Sequence, residues 1–148
     1  MNRSDVREEI FMLLFRTDFH KPEELKEQFD LFAEDEKSEC DILVEDLDEV
    51  EKYIRDFEQE EPYIKDKFFA IIDKLSDIDA AINEKAEGWK TTRMAKVDLT
   101  IIRLAVYEIK YDENVPNAVA INEAVELAKK FGGETSPAFV NGVLAKFA

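Results

Sequence analysis

MAKVDLTIIRLAVYEIKY, residues Met94–Tyr111, decides the fold. Apolar side chains fall at Met94, Val97, Leu99, Ile101, Ile102, Leu104, Ala105, Val106, Tyr107, Ile109 and Tyr111. At about 100° per residue they go most of the way round a helix instead of forming one stripe. A helix apolar on nearly all sides is a buried one, and this stretch is too short and too often charged to cross a membrane. It reads as the central helix of an all-α domain, with the other helices laid against it. Its polar residues, Lys96, Asp98, Arg103, Glu108 and Lys110, must then snorkel, pair or face a partner. A strand is the competing reading, since Ile101–Tyr107 is rich in branched and aromatic residues. The length, and the lack of turn signals before Asp112, favour helix.

Beyond a turn at Asp112–Pro116, Ala118–Phe131 has a regular amphipathic period. Ile121, Ala124, Val125, Ala128 and Phe131 face inward, and Asn122, Glu123, Glu126, Lys129 and Lys130 face outward. Gly132-Gly133 ends this helix, with the two lysines in its last turn where the macrodipole favours cations. Ser136-Pro137 offers an N-cap followed by Pro at the first helical position, opening Ala138–Phe147 with Val140, Val143, Leu144 and Phe147 inside. Phe139 falls off that face, on the side of Gly142 and Lys146, where it either fills a groove or waits for a partner. Gly142 lies inside the helix, where Gly costs about 1 kcal/mol relative to Ala, and implies that a neighbouring helix or Phe139 crosses closely.

On the other side of the central stretch, Asn2–Phe19 reads as a first helix, with Asn2 as cap and Asp5 three residues on. Val6, Ile10, Leu13, Leu14 and Thr17 trace one face, widened by Phe11, Phe15 and Phe19. Lys21-Pro22 stops it. Glu23–Ala33 starts a second helix, and Glu34–Asp41 (EDEKSECD) has no hydrophobic period and reads as a flexible loop. Ile42–Phe57 is helical again. Pro62 then opens Tyr63–Leu75, and Ser76 or Asp77 caps a short helix, Ile78–Glu87, ended by Gly88 and Trp89. Trp89 reads as a core or hinge anchor.

At 148 residues with 45% hydrophobic content and only 4 Gly and 4 Pro, the chain is a globular, helix-rich protein without a need for staples. Cys40 is the single cysteine, so no internal disulfide framework exists, and its acidic neighbours Glu39 and Asp41 disfavour a reactive thiolate. The opening MNRSDVREE lacks the apolar core of a signal peptide, which implies a cytoplasmic protein. The net charge is −15, but it is unevenly placed. From Glu23 to Glu61 there are 18 acids against four bases, whereas the first 22 residues hold four of each and the remainder 13 acids and 12 bases. The acidic middle is a solvated face, and the near-neutral ends leave room for local cationic surface.

Catalytic chemistry is not indicated. His20 is the only histidine, which excludes a histidine-rich metal site. No glycine-rich phosphate loop occurs, because Gly132-Gly133 follows a helix instead of opening one. No carboxylate spacing marks a metal or glycosidase centre, so neither metal nor cofactor is expected, and binding is the function class. Arg3 and Arg7 lie four residues apart on one edge of the first helix, where cations oppose the macrodipole by a few tenths of a kcal/mol each. Phe139 could offer a stacking face, worth about 1–3 kcal/mol per base to single-stranded RNA. Two arginines and one aromatic against this overall charge imply a partner protein that contributes positive charge.

DLTIIRLAVYEI, VAINEAVELAKKFG and SPAFVNGVLAKF, in that order, resemble the NusB transcription antitermination family, and VREEIFMLLF resembles that family's first helix more loosely. The resemblance implies an all-α fold of about seven to eight helices, in two packed helical bundles around a buried central helix. It makes residues 1–148 a single helical domain of two subdomains, 1–76 and 77–148. It implies no catalysis, pairing with the ribosomal protein NusE, binding of boxA-type single-stranded RNA in ribosomal RNA transcripts, and work on the RNA polymerase elongation complex, with no membrane. Arg3, Arg7 and Phe139 match the family's RNA surface. Asp98 matches an acid facing the ribosomal protein, Thr135 lies in the loop flanking that interface, and Phe15 stands on the partner surface in place of a tyrosine. The family's run of arginines is thinned here and interrupted by Asp5, Glu8 and Glu9, and Ala138 replaces a common lysine. Two other readings stay open: a protein-interaction module that keeps the NusE-type contact without useful RNA affinity, and a homodimer that hides the first-helix face.

Overall fold

A computed structural model describes the backbone of residues 1–43 and 47–148, and the side chains outside 39–46. Among the described residues there are seven α-helices and no strand. None of these helices is long and apolar enough to cross a membrane. Two compact units divide the chain, Met1–Phe69 and Ala70–Ala148.

The first unit holds α1 (Arg3–Thr17), α2 (Leu25–Leu43) and most of α3 (Leu47–Asp73). α1 begins with the expected cap in reciprocal form: the Asn2 side chain accepts from the Asp5 amide at 2.8 Å, and the Asp5 carboxylate accepts from the Asn2 amide at 3.0 Å. Near its end the buried Thr17 hydroxyl donates to the Leu13 carbonyl at 2.7 Å. The core is aromatic. Phe29 stacks on Phe68 at 6.5 Å and Phe32 meets Phe57 at 6.3 Å, so α2 and α3 run antiparallel, and Ile10, Phe11 and Leu13 of α1 are buried too.

Residues 34–41 are not a loop but part of α2. Their lack of hydrophobic period has a physical cause: this end of the helix meets α3 through polar groups. Tyr53 donates to Glu36 at 3.0 Å, and Lys37 pairs with Glu61 at 3.5 Å and Glu58 at 4.0 Å. The Cys40 thiol lies outside the described side chains. Pro62 does not open a helix either; it sits inside α3. A proline there removes the hydrogen bond to the Glu58 carbonyl and costs about 3 kcal/mol. Phe57 and Ile64, fully buried on either side of it, hold the helix together. The break falls later, at Lys74, which caps α4 (Leu75–Lys85) with no side-chain bond, in place of Ser76 or Asp77.

The second unit holds α4, α5 (Lys96–Tyr111), α6 (Asn117–Phe131) and α7 (Ser136–Ala145). The quoted stretch is its hub, since α4, α6 and α7 all pack on α5. Leu99, Ile101, Ile102, Leu104, Ala105 and Val106 are buried. Two of its polar residues find partners within the unit: Arg103 forms a two-pronged pair with Asp79 of α4 at 2.8 and 2.7 Å, and Lys110 lies over the Tyr111 ring. α6 presents Ala120, Ala124, Leu127 and Ala128, one position round from the expected face. Alanines let the backbones approach closely, so Ile121, Val125 and Phe131 sit at the half-buried margin.

Gly132 follows α6 where a β-carbon would lie 2.5 Å from Ser136 Cβ and 2.8 Å from the Ala128 carbonyl, so only glycine fits. Ser136 is buried and accepts from the Gly133 amide at 3.1 Å; Thr135 takes the N-cap position of α7, with Pro137 one place later than expected. Gly142 is not at a helix crossing. It is exposed, and a β-carbon there meets nothing within 4 Å.

Candidate functional site

The six candidate residues divide evenly: Arg3, Arg7 and Phe15 belong to the first unit, Asp98, Thr135 and Phe139 to the second. On α1, Arg3 is exposed, lies 4.3 Å over the Tyr63 ring and reaches Glu60 at 3.4 Å. An exposed pair of that kind contributes at most about 1 kcal/mol, so Arg3 can be released to another anion. Arg7 is only 7% exposed. Burial keeps its charge away from a phosphate outside, and the cationic edge of α1 rests mainly on Arg3.

The other end of α1 is apolar and open. Met12 and Phe15 are exposed on it, Phe15 stacks on Phe11 at 6.2 Å, and Phe19 just beyond is 83% exposed. Met12 and Phe15, at i and i+3, share one helix face, and Phe19 follows in the turn after α1. A phenylalanine so exposed adds nothing to the core, and this stripe suits a protein partner.

In the second unit, Asp98 sits in the first turn of α5, where the macrodipole favours an acid. That alone would explain a carboxylate there, but its Oδ1 is buried and has no hydrogen-bond partner among the described residues. A buried oxygen left so costs about 1–3 kcal/mol, which a donor from outside the chain would relieve. Thr135 is exposed, and its hydroxyl makes no capping bond. Phe139 is half-buried and does have a neighbour: its ring meets Trp89 at 5.3 Å and 71°, edge to face.

Of the two places expected for Trp89, core or hinge, the structure rules out the core. The side chain is 54% exposed, in the turn after α4. Gly88 at φ +80° makes that turn, and the Trp89 amide bonds back to the Ala86 carbonyl at 2.9 Å. The signal was present in the flanking lysines and glycine, which do not suit a core position.

A second feature escaped the sequence. Glu9 of α1, Glu36 of α2 and Tyr53 of α3 converge, with the Tyr53 hydroxyl 3.1 Å from Glu9 and 3.0 Å from Glu36. Burial, then the Glu36 charge, push the Glu9 carboxyl up to about 8, and burial with the two acids raises the Tyr53 phenol. One phenol proton cannot serve two carboxylates, so the cluster favours a protonated Glu9. Residues 44 and 27 positions apart give no periodic signal.

The model of the NusB family matches residues 4–148. The chain belongs to the NusB family. NusB relatives described as transcription antitermination proteins run its full length: that of Agathobacter rectalis is 53% identical over 100% of both chains, and that of Lachnoclostridium phytofermentans 47% identical over 99% of this chain and 98% of its own. The solved NusB of T. maritima has a TM-score of 0.71 at 31% identity, covering 100% of this chain and 91% of that one. A chain in the crystal structure of a plectonemic RNA supercoil has a TM-score of 0.67 at 25% identity, covering 98% and 92%. The NusB relatives are antitermination factors and not enzymes, in keeping with a sequence that holds no catalytic arrangement.

Proposed function

We propose that this chain is an RNA-binding antitermination adaptor, which pairs with the ribosomal protein NusE and carries boxA-type RNA of ribosomal transcripts to the RNA polymerase elongation complex in the cytoplasm. The observation that carries this reading is the end-to-end match to antitermination relatives. Three local features support it. Asp98 Oδ1 wants a donor, Phe15 lies in an exposed apolar stripe, and the half-buried Phe139 packs on the exposed Trp89. The solved neighbour from an RNA structure supports RNA as the ligand class.

A specific observation favours the narrower reading of a protein-interaction module: Arg7 is buried and Arg3 is drawn to Glu60. The test is a titration of boxA-type RNA with the chain alone and with the ribosomal partner, at two salt concentrations. The chain alone should bind weakly with a shallow salt slope, since each neutralised phosphate on a single strand adds about 0.7. The partner should raise both affinity and slope. Asp98→Lys should weaken the heterodimer by a few kcal/mol with helix content unchanged. A heterodimer that binds boxA no better than a scrambled RNA leaves the interaction module as the function. Should the chain form a homodimer instead, Phe15→Asp would dissociate it.

A further inference from the structure

The turn between α4 and α5 carries a feature that the matched motifs do not absorb. From Glu84 to Lys96 stand four cations, Lys85, Lys90, Arg93 and Lys96, against two acids, Glu84 and Glu87. In a chain of net charge −15 this is a locally basic stretch, and all four cations are exposed. Lys90 and Arg93 make no ion pair among the described residues. Trp89 stands in the middle of them, 54% exposed.

The surroundings of Trp89 are those of a platform. Its ring meets Phe139 edge to face at 5.3 Å and 71°, and with the residue 54% exposed aromatic surface remains open to solvent. Gly88 at φ +80° sets the turn that delivers it. One turn along α7 from Phe139, Gly142 leaves the surface flat, with nothing within 4 Å of where a β-carbon would be. Just beyond α7, Lys85 of α4 lies 5.1 Å from the Phe147 ring centre and donates to the Lys146 carbonyl at 3.4 Å, which ties the end of α4 to the residues that follow α7.

We infer that Trp89, braced by Phe139 and flanked by Lys90 and Arg93, is a base-stacking contact for single-stranded RNA. The inference rests on the RNA-binding reading above and adds to it a residue and a loop. The charge decides the occupant. An apolar protein surface would leave Lys90 and Arg93 without partners, whereas a single strand supplies phosphates for them and base faces for the indole, and aromatics beside a cationic track are the usual means of holding such a strand.

Trp89 is the only tryptophan, so its fluorescence reports on this one position. The full chain with its ribosomal partner would be titrated with a labelled boxA-type RNA of about a dozen nucleotides, within the usual site sizes. RNA binding is read from the label's anisotropy and stacking from the indole emission. Quenching should track the binding curve. Trp89→Ala should weaken binding about 5- to 150-fold with the salt slope unchanged, and Trp89→Phe should recover most of the loss. Lys90→Ala with Arg93→Ala should instead lower the slope, by about 0.7 for each lost contact. If the RNA binds while the emission stays constant, or Trp89→Ala binds as tightly as the parent, the stacking contact is refuted and the RNA-binding reading stands. Loss of ribosomal-partner affinity alone in Trp89→Ala would make the turn a protein contact and also refute it. An absence of RNA binding by the parent removes both readings together.

Discussion

Glu9→Gln should stabilise this protein at alkaline pH and leave it nearly unchanged in acid. Glu9 is 9% exposed and faces Glu36 and Tyr53, and its carboxyl titrates at about 8 in place of 4.5. Below pH 4.5 folded and unfolded chains both hold the proton, and the group adds no pH dependence. Between 4.5 and about 8 the unfolded chain releases it while the folded chain keeps it, so stability falls as pH rises and levels off above 8. A difference of this size, at 1.36 kcal/mol per pH unit, gives an upper bound of about 5 kcal/mol. Relaxation around Glu36 reduces this to a few kcal/mol. The glutamine amide is neutral throughout, can accept from Tyr53 and can donate to Glu36, so it removes the titration without leaving a cavity. Urea unfolding followed by far-ultraviolet circular dichroism, at pH 5 and pH 8.5, compares the two proteins. The many other carboxylates cancel in the difference. An equal gain at both pH values would refute the protonated cluster, and so would a loss at pH 8.5.

Two further substitutions test the helices. Gly142→Ala should raise stability by up to about 1 kcal/mol, because the position is helical, exposed and open, and a loss would mean that something crosses it closely. Asn2→Ala removes the reciprocal cap of α1 and should cost about 1 kcal/mol in the same urea assay, with no change at all counting against the cap.

Periodicity and punctuation determined much of this fold from the sequence alone. The buried hub at Lys96–Tyr111, the cap at Asn2 and the glycine stop after α6 are local properties, and local rules found them. The family was legible for a related reason, since its motifs lie on consecutive turns of α5, α6 and α7. Tertiary structure decided the rest. Residues 34–41 became helix because Glu36 and Lys37 found partners on α3, far along the chain. Pro62 stayed inside α3 because the cores on either side outweigh one missing hydrogen bond. Trp89 lies outside and Arg7 inside, against the expectation from residue type for both. Residue type sets what burial is worth, but the neighbours that bury a side chain, or brace it at the surface, come from distant parts of the chain. That is why Glu9, Glu36 and Tyr53, and equally Trp89 and Phe139, become sites only once the helices have packed.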